Sequence, residues 1–404
     1  MALLTDEDIK IALNHINQSS LDKGIAKTAF FPKLDGMGGA FYLTPDPSMN
    51  DLMDIQMRGV YLAGFSLTQP IFTGGKIINA NKLVSLGETV AKDQFEATKM
   101  DVIANAEKSY WMYIGVLSKI DMVKSYMNQL DSIYDYTKSA YEIGLTTELS
   151  LSRVETKRSE LLYRLKQTET GADLCRLALC RIIGVDDSVP INPTTSMEDP
   201  EHYPDYYEGI ESRPELHLMQ KNVEAKKYEV RLTLADYLPT IGLQLGWNAF
   251  GNLKMKSMVE GPDGNFYPYT STMNYKGFVG ALSLTLPIFH WGEGYRKIKK
   301  AKIEVENAEL SLNKNRKLLE LQAQQAYNNY KNGVDLIKNA EIAFEEAEHN
   351  LKQMQSQYEL GFMTLTDLLE AQAQWQASYS NLIEAKTQFR INKVDYLRSV
   401  GLLE

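Results

Sequence analysis

The heptapeptide Ser283-Leu284-Thr285-Leu286-Pro287-Ile288-Phe289 decides the fold, because it occurs a second time, nearly unchanged, as Ser66-Leu67-Thr68-Gln69-Pro70-Ile71-Phe72. The offset between the two copies is 217 residues (283 − 66). The same offset pairs residues far downstream, among them Tyr110 with Tyr327, Gly144 with Gly361, Thr147 with Thr364, Arg181 with Arg398 and Gly184 with Gly401. The chain is therefore predicted to be two copies of one unit.

The two predicted units have the same order of elements. The first, residues 1–195, contains a helix, two strands and a long α-hairpin whose tip lies at Gly144. The second, residues 196–404, begins with a linker rich in proline and acids and then repeats the helix, the two strands and the hairpin, with its tip at Gly361. The helices that precede the strands are predicted at 6–30 and 214–237.

Four segments alternate between apolar and small or polar side chains, as amphipathic strands do. These segments are residues 34–43, 60–68, 241–248 and 278–286. Each is about 9–11 residues long, which is the length that a tilted strand needs to cross a bilayer. Polar loops are predicted within the two pairs, at 44–58 and 252–275. Aromatic residues at the strand ends fit either an interfacial girdle or ordinary sheet edges.

The helical patterns that follow the strands are too long for a globular core. The helices before the tips are predicted at about 76–143 and 293–360, and each would be about 100 Å long. Their apolar residues recur every 3.5 residues on average, as in a coiled-coil seam. The first seam comprises Tyr110, Tyr113, Leu117, Ile120, Val123, Met127, Leu130 and Tyr134. Returning helices are predicted at 147–183 and 364–400, and the varied seam residues predict more than one partner helix.

Composition argues against several classes of function. Lys and Arg total 43 against 52 Asp and Glu, and the net charge of −9 argues against a nucleic-acid partner. The sequence contains no phosphate loop, nucleophile elbow or metal-ligand spacing, so we predict no catalytic, cofactor or metal site and no enzyme activity. No signal peptide is visible, which predicts a mature or trimmed chain or a start further upstream.

The strand count predicts an oligomer. Four strands cannot close a membrane barrel, since the smallest have about eight, and open sheet edges cannot lie in lipid. If the strands cross a membrane, several protomers must therefore pool them. The alternative is a soluble oligomeric coiled-coil scaffold without transport activity, whose short sheet caps the long helices.

The tandem repeat, the Pro-Ile-Phe junctions and the Tyr-x-x-Gly-x-x-Thr hairpin tips together resemble the TolC-like outer-membrane efflux protein family (outer membrane factors) over essentially the whole chain. The resemblance implies a mainly α fold with a β-barrel part, in which a homotrimer forms one 12-stranded barrel on an α-helical coiled-coil tunnel. It implies a passive exit duct of a tripartite efflux or type I secretion system. The location would be the outer membrane of a Gram-negative bacterium, with the helices in the periplasm. The implied partners are outer-membrane lipid, a periplasmic adaptor (membrane fusion protein) and an inner-membrane transporter.

The hairpin tips are the first candidate site. Gly144 and Gly361 suit the left-handed turn that ends a helix, and Thr147 and Thr364 are placed to cap the returning helices. These residues could make turns and nothing else. The resemblance implies in addition that the adaptor meets the tips, at Tyr141, Gly144, Leu145, Thr147, Gly361, Phe362 and Thr364.

The second candidate site is a channel gate. Asp367 and Glu370 lie three residues apart and share a helix face. The resemblance implies that they form carboxylate rings in a trimer, which would favour cations and raise some of their pKa values by like-charge repulsion. The plain alternative is a capping box made by Thr364 and Asp367, and both can hold together. Tyr358 matches a family position whose hydroxyl latches neighbouring hairpins, or it is a seam tyrosine.

Overall fold

The computed structural model describes residues 2–44, 48–50, 53–194 and 209–403. Its helices are α1 Ala2–Thr5, α2 Glu7–Thr28, α3 Lys76–Glu142, α4 Glu148–Ile183, α5 Pro214–Ala235, α6 Glu293–Glu359 and α7 Leu365–Val400. Its strands are β1 Lys33–Tyr42, β2 Ser48–Asn50, β3 Met53–Gln56, β4 Arg58–Thr73, β5 Thr240–Glu260 and β6 Phe266–Thr285. The predicted division at residue 195 and most of the predicted linker lie outside the described residues.

The long helices follow the sequence prediction to within one or two residues at each end. α3 and α6 have 67 residues each, which at 1.5 Å per residue makes each about 100 Å long. α4 and α7 have 36 residues each. Of the helices described, none is both long and apolar enough to cross a membrane.

The four long strands form an antiparallel sheet in the order β1, β4, β5 and β6, and β3 pairs with the far end of β5. The register aligns Phe65 with Trp247 and Trp247 with Phe278. The Phe65 and Trp247 rings are stacked, with centroids 6.0 Å apart. One face therefore carries the larger apolar side chains that the alternation predicted, among them Leu34, Leu67, Leu243, Leu245, Leu282 and Leu284.

The predicted loop at 252–275 is wrong, and so is the predicted length of the second strand pair. β5 and β6 have 21 and 20 residues, joined by a turn at 261–265. A bulge allows the long hairpin, because Asn252 takes a φ of 62° and the register shifts beside it. The Asn252 Nδ2 donates to the carbonyls of Arg58 and Gly59, both at 3.0 Å. Since the bulge interrupts the alternation, the sequence resembles a loop where the strand continues.

The chain folds into two compact units, and each draws on both halves of the sequence. One comprises Met1–Ile16, Val90–Gln220 and Leu310–Glu404, and the other Asn17–Thr89 and Lys221–Glu309. In the first unit half of the predicted seam of α3 is buried, namely Tyr113, Ile120, Val123 and Leu130, and the other half is half-buried. The seam packs on residues of α4, α6 and α7, which are Val154, Leu161, Ala347, Leu351, Leu365, Leu368 and Trp375. The prediction of several partner helices is confirmed.

Aromatic rings fill the wider parts of this unit. The Trp375 ring lies 5.5 Å from Tyr379 and 6.2 Å from both Tyr126 and Phe344. The helices approach most closely where the side chains are small: a Cβ atom added at Gly115 would lie 2.6 Å from the Thr387 Oγ1. Aromatic side chains at some positions and glycine at others thus allow the long helices to pack at unequal distances.

A partly buried ion network joins three helices of the same unit. Arg398 of α7 donates to Asp101 of α3 at 2.7 Å and to Glu215 of α5 at 2.6 Å. The Arg213 Nε lies 3.3 Å from the Glu215 Oε2. Burial alone would raise the pKa of Glu215, but the Arg398 hydrogen bond and the two guanidinium charges outweigh it and hold the pKa at about 2. The carboxylate therefore stays charged and paired at every physiological pH.

We expect Glu215→Gln to lower the unfolding temperature at neutral pH and to lose this effect in acid. The folded-state pKa of about 2 lies below the ordinary 4.5, so the stabilisation is complete above the ordinary pKa and is lost as the pH falls toward 2. The stabilisation by Glu215 at neutral pH is about 2 kcal/mol. It is smaller than the free energy that the full pKa shift corresponds to, because the Glu215 side chain is 25% exposed. Circular dichroism melts at pH 7 and at about pH 2 measure it.

The control is Glu346→Gln, which neutralises an exposed glutamate of α6. It should leave the unfolding temperature nearly unchanged at both pH values. A Glu215→Gln effect of equal size at both would show that the charge of Glu215 contributes nothing.

Candidate functional site: the hairpin tips

At the tip of the first hairpin the chain reverses direction at Gly144. This residue has a φ of 75°, which a side chain rarely tolerates. The Leu145 N–H donates to the Ala140 carbonyl at 2.8 Å and the Gly144 N–H donates to the Tyr141 carbonyl at 3.0 Å. This pair of bonds is a Schellman motif, which satisfies carbonyls at the end of α3. The returning helix α4 is capped by Thr147, whose Oγ1 accepts from the Ser150 N–H at 3.3 Å.

The tip of the second hairpin has the same construction. Gly361 has a φ of 80°, its N–H donates to the Tyr358 carbonyl at 3.0 Å, and the Phe362 N–H donates to the Gln357 carbonyl at 2.9 Å. Thr364 caps α7 through its Oγ1, which accepts from the Asp367 N–H at 3.3 Å. The turn and cap roles predicted for these glycines and threonines are confirmed.

The tips expose large apolar side chains. Leu145 and Phe362, which occupy the same position in the two turns, are each 78% exposed. The other exposed apolar residues of the tips are Tyr141, Ile143, Leu149 and Leu360. Such a concentration of exposed apolar side chains on two short turns is typical of a binding surface rather than of a solvated loop.

Asp367 is part of a capping box. Its Oδ2 accepts from the Thr364 N–H at 3.2 Å and from the Thr364 hydroxyl at 2.6 Å. These hydrogen bonds lower the pKa of Asp367 below its ordinary value. Within one chain the direction is thus opposite to the rise expected from a ring of carboxylates, and the alternative interpretation of Asp367 as a helix cap is confirmed.

Glu370 has different surroundings. It lines an open groove of about 530 Å³ between α4 and α7, together with Arg153 and Lys157. The Arg153 Nη1 donates to the Thr366 Oγ1 at 3.1 Å across this groove. The structure thus places two cations beside one of the predicted gate acids. Sequence analysis missed this contact, because the partners are 213 residues apart and no spacing links them.

Tyr358 joins the two hairpins of the same chain. Its hydroxyl lies 3.2 Å from the Oγ1 of Thr137, a residue of α3 with no exposed surface. Beside it, the Tyr136 hydroxyl donates to the Glu359 carbonyl at 3.2 Å. The rings of Tyr136 and Tyr358 meet edge to face, with centroids 5.5 Å apart. Tyr136 and Thr137 went unnoticed in the sequence, where nothing distinguishes them from other residues of α3.

Metal binding has no support in the part of the chain that the structure describes, where no cluster of three or more His, Cys, Asp or Glu side chains could hold an ion. The tips therefore provide backbone turns, exposed apolar side chains and the charged side chains of Asp367 and Glu370.

The family described as "Outer membrane efflux protein" matches residues 1–175 and 206–401 of the chain. The chain is 22% identical to outer membrane protein TolC of Escherichia coli K12, over 84% of this chain and 69% of that protein. It is 19% identical to the alkaline protease secretion protein AprF of Pseudomonas aeruginosa, over 96% of this chain and 80% of that protein. A solved structure of CusC superimposes with a TM-score of 0.81 at 13% identity, covering 99% of this chain and 90% of the other.

We expect Tyr358→Phe to loosen the junction between the hairpins. The loss of one hydrogen bond to a buried hydroxyl costs about 1 kcal/mol, which is about a fivefold rise in local opening. Hydrogen-exchange mass spectrometry of peptides at the ends of α3 and α6 measures the opening.

The matched control is Tyr141→Phe at the equivalent position of the first hairpin, where the hydroxyl has no partner among the described residues. Equal acceleration in both variants would mean that the ring, and not the Tyr358 hydroxyl, holds the hairpins together.

Proposed function

The chain belongs to the outer membrane efflux protein family, and we propose that it works as a homotrimer whose hairpin tips form both a gate and the docking surface for a periplasmic adaptor. It is an exit duct of the outer membrane of a Gram-negative bacterium, with its helical part in the periplasm. Membership of this family favours the duct over a soluble scaffold. The duct is a passive conduit, and an inner-membrane transporter supplies the energy.

The sheet supports a closed trimeric barrel. Among the described residues β1 pairs with β4 and β6 pairs with β5, so each outer strand has one unpaired edge. The strands alternate in direction, so β6 of one chain can pair antiparallel with β1 of the next. Three chains of four long strands then close a twelve-stranded barrel without an open edge. The apolar face fits lipid, since Phe278 on it is 81% exposed in the single chain.

This open-edged, one-sided apolar sheet is the observation that carries the trimer proposal. Closure of a barrel also gives the helices that follow the strands a common axis. The sequence division into units 1–195 and 196–404 is part of the same proposal: each unit supplies two strands and one α-hairpin to the assembly.

We propose that the adaptor docks on the apolar tips. Leu145 and Phe362 project from Schellman turns that fix their backbone, so an adaptor would meet a preformed surface. The predicted contact set extends over Tyr141, Gly144, Leu145, Thr147, Gly361, Phe362 and Thr364. The glycines and threonines contribute by shaping the turns, while the exposed apolar side chains provide the contact area.

We expect the double substitution Leu145→Arg/Phe362→Arg to weaken adaptor binding by about thirtyfold or more, as buried apolar anchors of an interface do. Surface plasmon resonance with the cognate adaptor measures the affinity. Leu174→Arg, at an exposed leucine far along α4, is the control and should bind normally. Light scattering should give three copies of the 45.8 kDa chain for every variant. Undiminished binding by the trimeric double variant would exclude the tips as the docking surface.

We propose that Asp367 and Glu370 form the charged constriction and that Tyr358 helps to hold it closed. The capping box supports this role for Asp367, because a lowered pKa keeps its carboxylate charged in mildly acidic surroundings. Arg153 and Lys157 line the groove of Glu370 and reduce its net effect. The ring at Asp367 is therefore the stronger source of cation preference.

We expect Asp367→Asn/Glu370→Gln to reduce the cation-to-anion permeability ratio at least about threefold, because charge rings in a narrow pore create potentials of several kT. Reversal potentials in planar bilayers measure the ratio. Arg153→Gln should shift it in the opposite direction.

Thr364→Ala distinguishes the capping role from the role of the charge. It removes the hydroxyl that caps α7, which costs about 1 kcal/mol of stability, and it keeps both carboxylates. Its selectivity should match the wild type. The proposal of an acidic gate fails if the double acid variant keeps wild-type selectivity, or if Thr364→Ala changes selectivity as much as the double variant does.

A further inference from the structure

A basic cleft lies between α2, α3 and α5 in the unit that contains the sheet. It encloses about 590 Å³ and opens to the surface. Each of the three helices contributes one lysine to its lining, which are Lys27, Lys82 and Lys221. The acid that lines it is Glu224. The lining is therefore net positive, although the whole chain has a net charge of −9.

Among the residues that the structure describes, the three lysines of the cleft are not paired with carboxylates, whereas five other lysines of the same unit are. Several others of the same unit are paired with carboxylates, namely Lys23 with Glu88, Lys76 with Asp236, Lys226 with Glu229, Lys227 with Glu309 and Lys297 with Glu293. Within the described residues, no carboxylate lies within salt-bridge distance of Lys27, Lys82 or Lys221. Three ammonium groups against one carboxylate around one opening form a site for an anion.

The rest of the lining is amphipathic. Phe30 and Ile78 are exposed apolar residues at one part of the cleft, and Ser85 and Thr89 add hydroxyl groups. Arg231 lies over the ring of Tyr228, 5.2 Å from its centroid, and adds a fourth cation next to the lining. The other face of the α2–α3 pair has a groove with Asp22 and without a lysine. The positive charge is therefore specific to one side.

The cleft lies beside the ends of the strands. Phe30 is followed by β1, which starts at Lys33, and Ile78 follows β4, which ends at Thr73. Since β1 and β4 are antiparallel, these strand ends lie at the same edge of the sheet. For a sheet that spans the outer membrane, as the proposed function has it, this edge is the periplasmic one. The cleft then borders the head groups of the periplasmic leaflet.

We propose that this cleft binds the phosphate head group of an anionic phospholipid of the periplasmic leaflet. The lysines hold the phosphate and the exposed Phe30 and Ile78 side chains contact the acyl chain. Lysine binds phosphate as a point charge, and each basic residue near an anionic lipid surface contributes about a fivefold gain in affinity. Lipid bound here would fix the depth of the protein in the membrane at the junction of strands and helices.

The repeat supplies a matched control. The offset of 217 pairs Lys82 with Lys299, which occupies the same turn of α6 that Lys82 occupies in α3. Lys299 does not line the cleft, and neither does its neighbour Lys300. Lys27→Gln/Lys82→Gln and Lys299→Gln/Lys300→Gln therefore remove the same number of charges, once in the cleft and once outside it.

Native mass spectrometry of the delipidated, full-length protein in detergent tests the proposal by titration with phosphatidylglycerol, phosphatidylcholine or inorganic phosphate. The wild type should prefer phosphatidylglycerol. Lys27→Gln/Lys82→Gln should weaken that binding about thirtyfold, since two basic residues are lost, and Lys299→Gln/Lys300→Gln should bind as the wild type.

Equal binding of the two lipids, equal loss in the two variants, or wild-type affinity in the cleft variant would overturn the proposal. Inorganic phosphate that binds as tightly as the lipid would overturn the lipid as the occupant. Channel conductance, measured separately in bilayers, reports on the proposed function without depending on this result.

Discussion

The unpaired backbone edges of β1 and β6 constrain the rest of the protein. Within the described chain each outer strand pairs on one side, and the face that joins them carries Phe65, Trp247 and Phe278 in register. An edge of this kind in lipid would leave N–H and C=O groups without partners, at several kcal/mol for each group. Assembly with further copies removes that cost. For a sheet that lies in lipid, as the proposed function has it, assembly with further copies is therefore a requirement.

The helices meet a different requirement, since the two hairpins pack along returning helices of 36 residues, each about 54 Å long, without a globular core. Trp375 fills the space among α3, α6 and α7, while Gly115 allows a close approach of α3 to Thr387. Arg398 then fixes α3, α5 and α7 together through carboxylates. Unequal side-chain sizes along the seam set unequal distances between helices, which a uniform leucine seam would not allow.

The sequence predicts the helices well because their signals are local. Gly144 and Gly361 end the first helix of each hairpin and Thr147 and Thr364 start the second, so the tips could be placed from four residues. The long β5–β6 hairpin was missed, since the bulge at Asn252 depends on carbonyls 193 and 194 residues away. The contacts of Tyr358 with Thr137 and of Arg153 with Thr366 were missed for the same reason. Pairings between distant segments produce no recognisable pattern of residue spacing in the sequence, whereas caps and turns do produce one.

Asp367 shows how a folding role and a charge role can be carried by one side chain. Its carboxylate accepts two hydrogen bonds from Thr364 in the capping box, and these bonds lower its pKa, so the cap favours the charged form. The backbone turn at Gly361 in turn decides where α7 starts and hence where that charge lies. Glu370, one turn later, has no such support and faces Arg153 and Lys157. Two acids that look equivalent in the sequence therefore have different surroundings: the capped carboxylate is held by hydrogen bonds to Thr364, and the other lines a groove together with two cations.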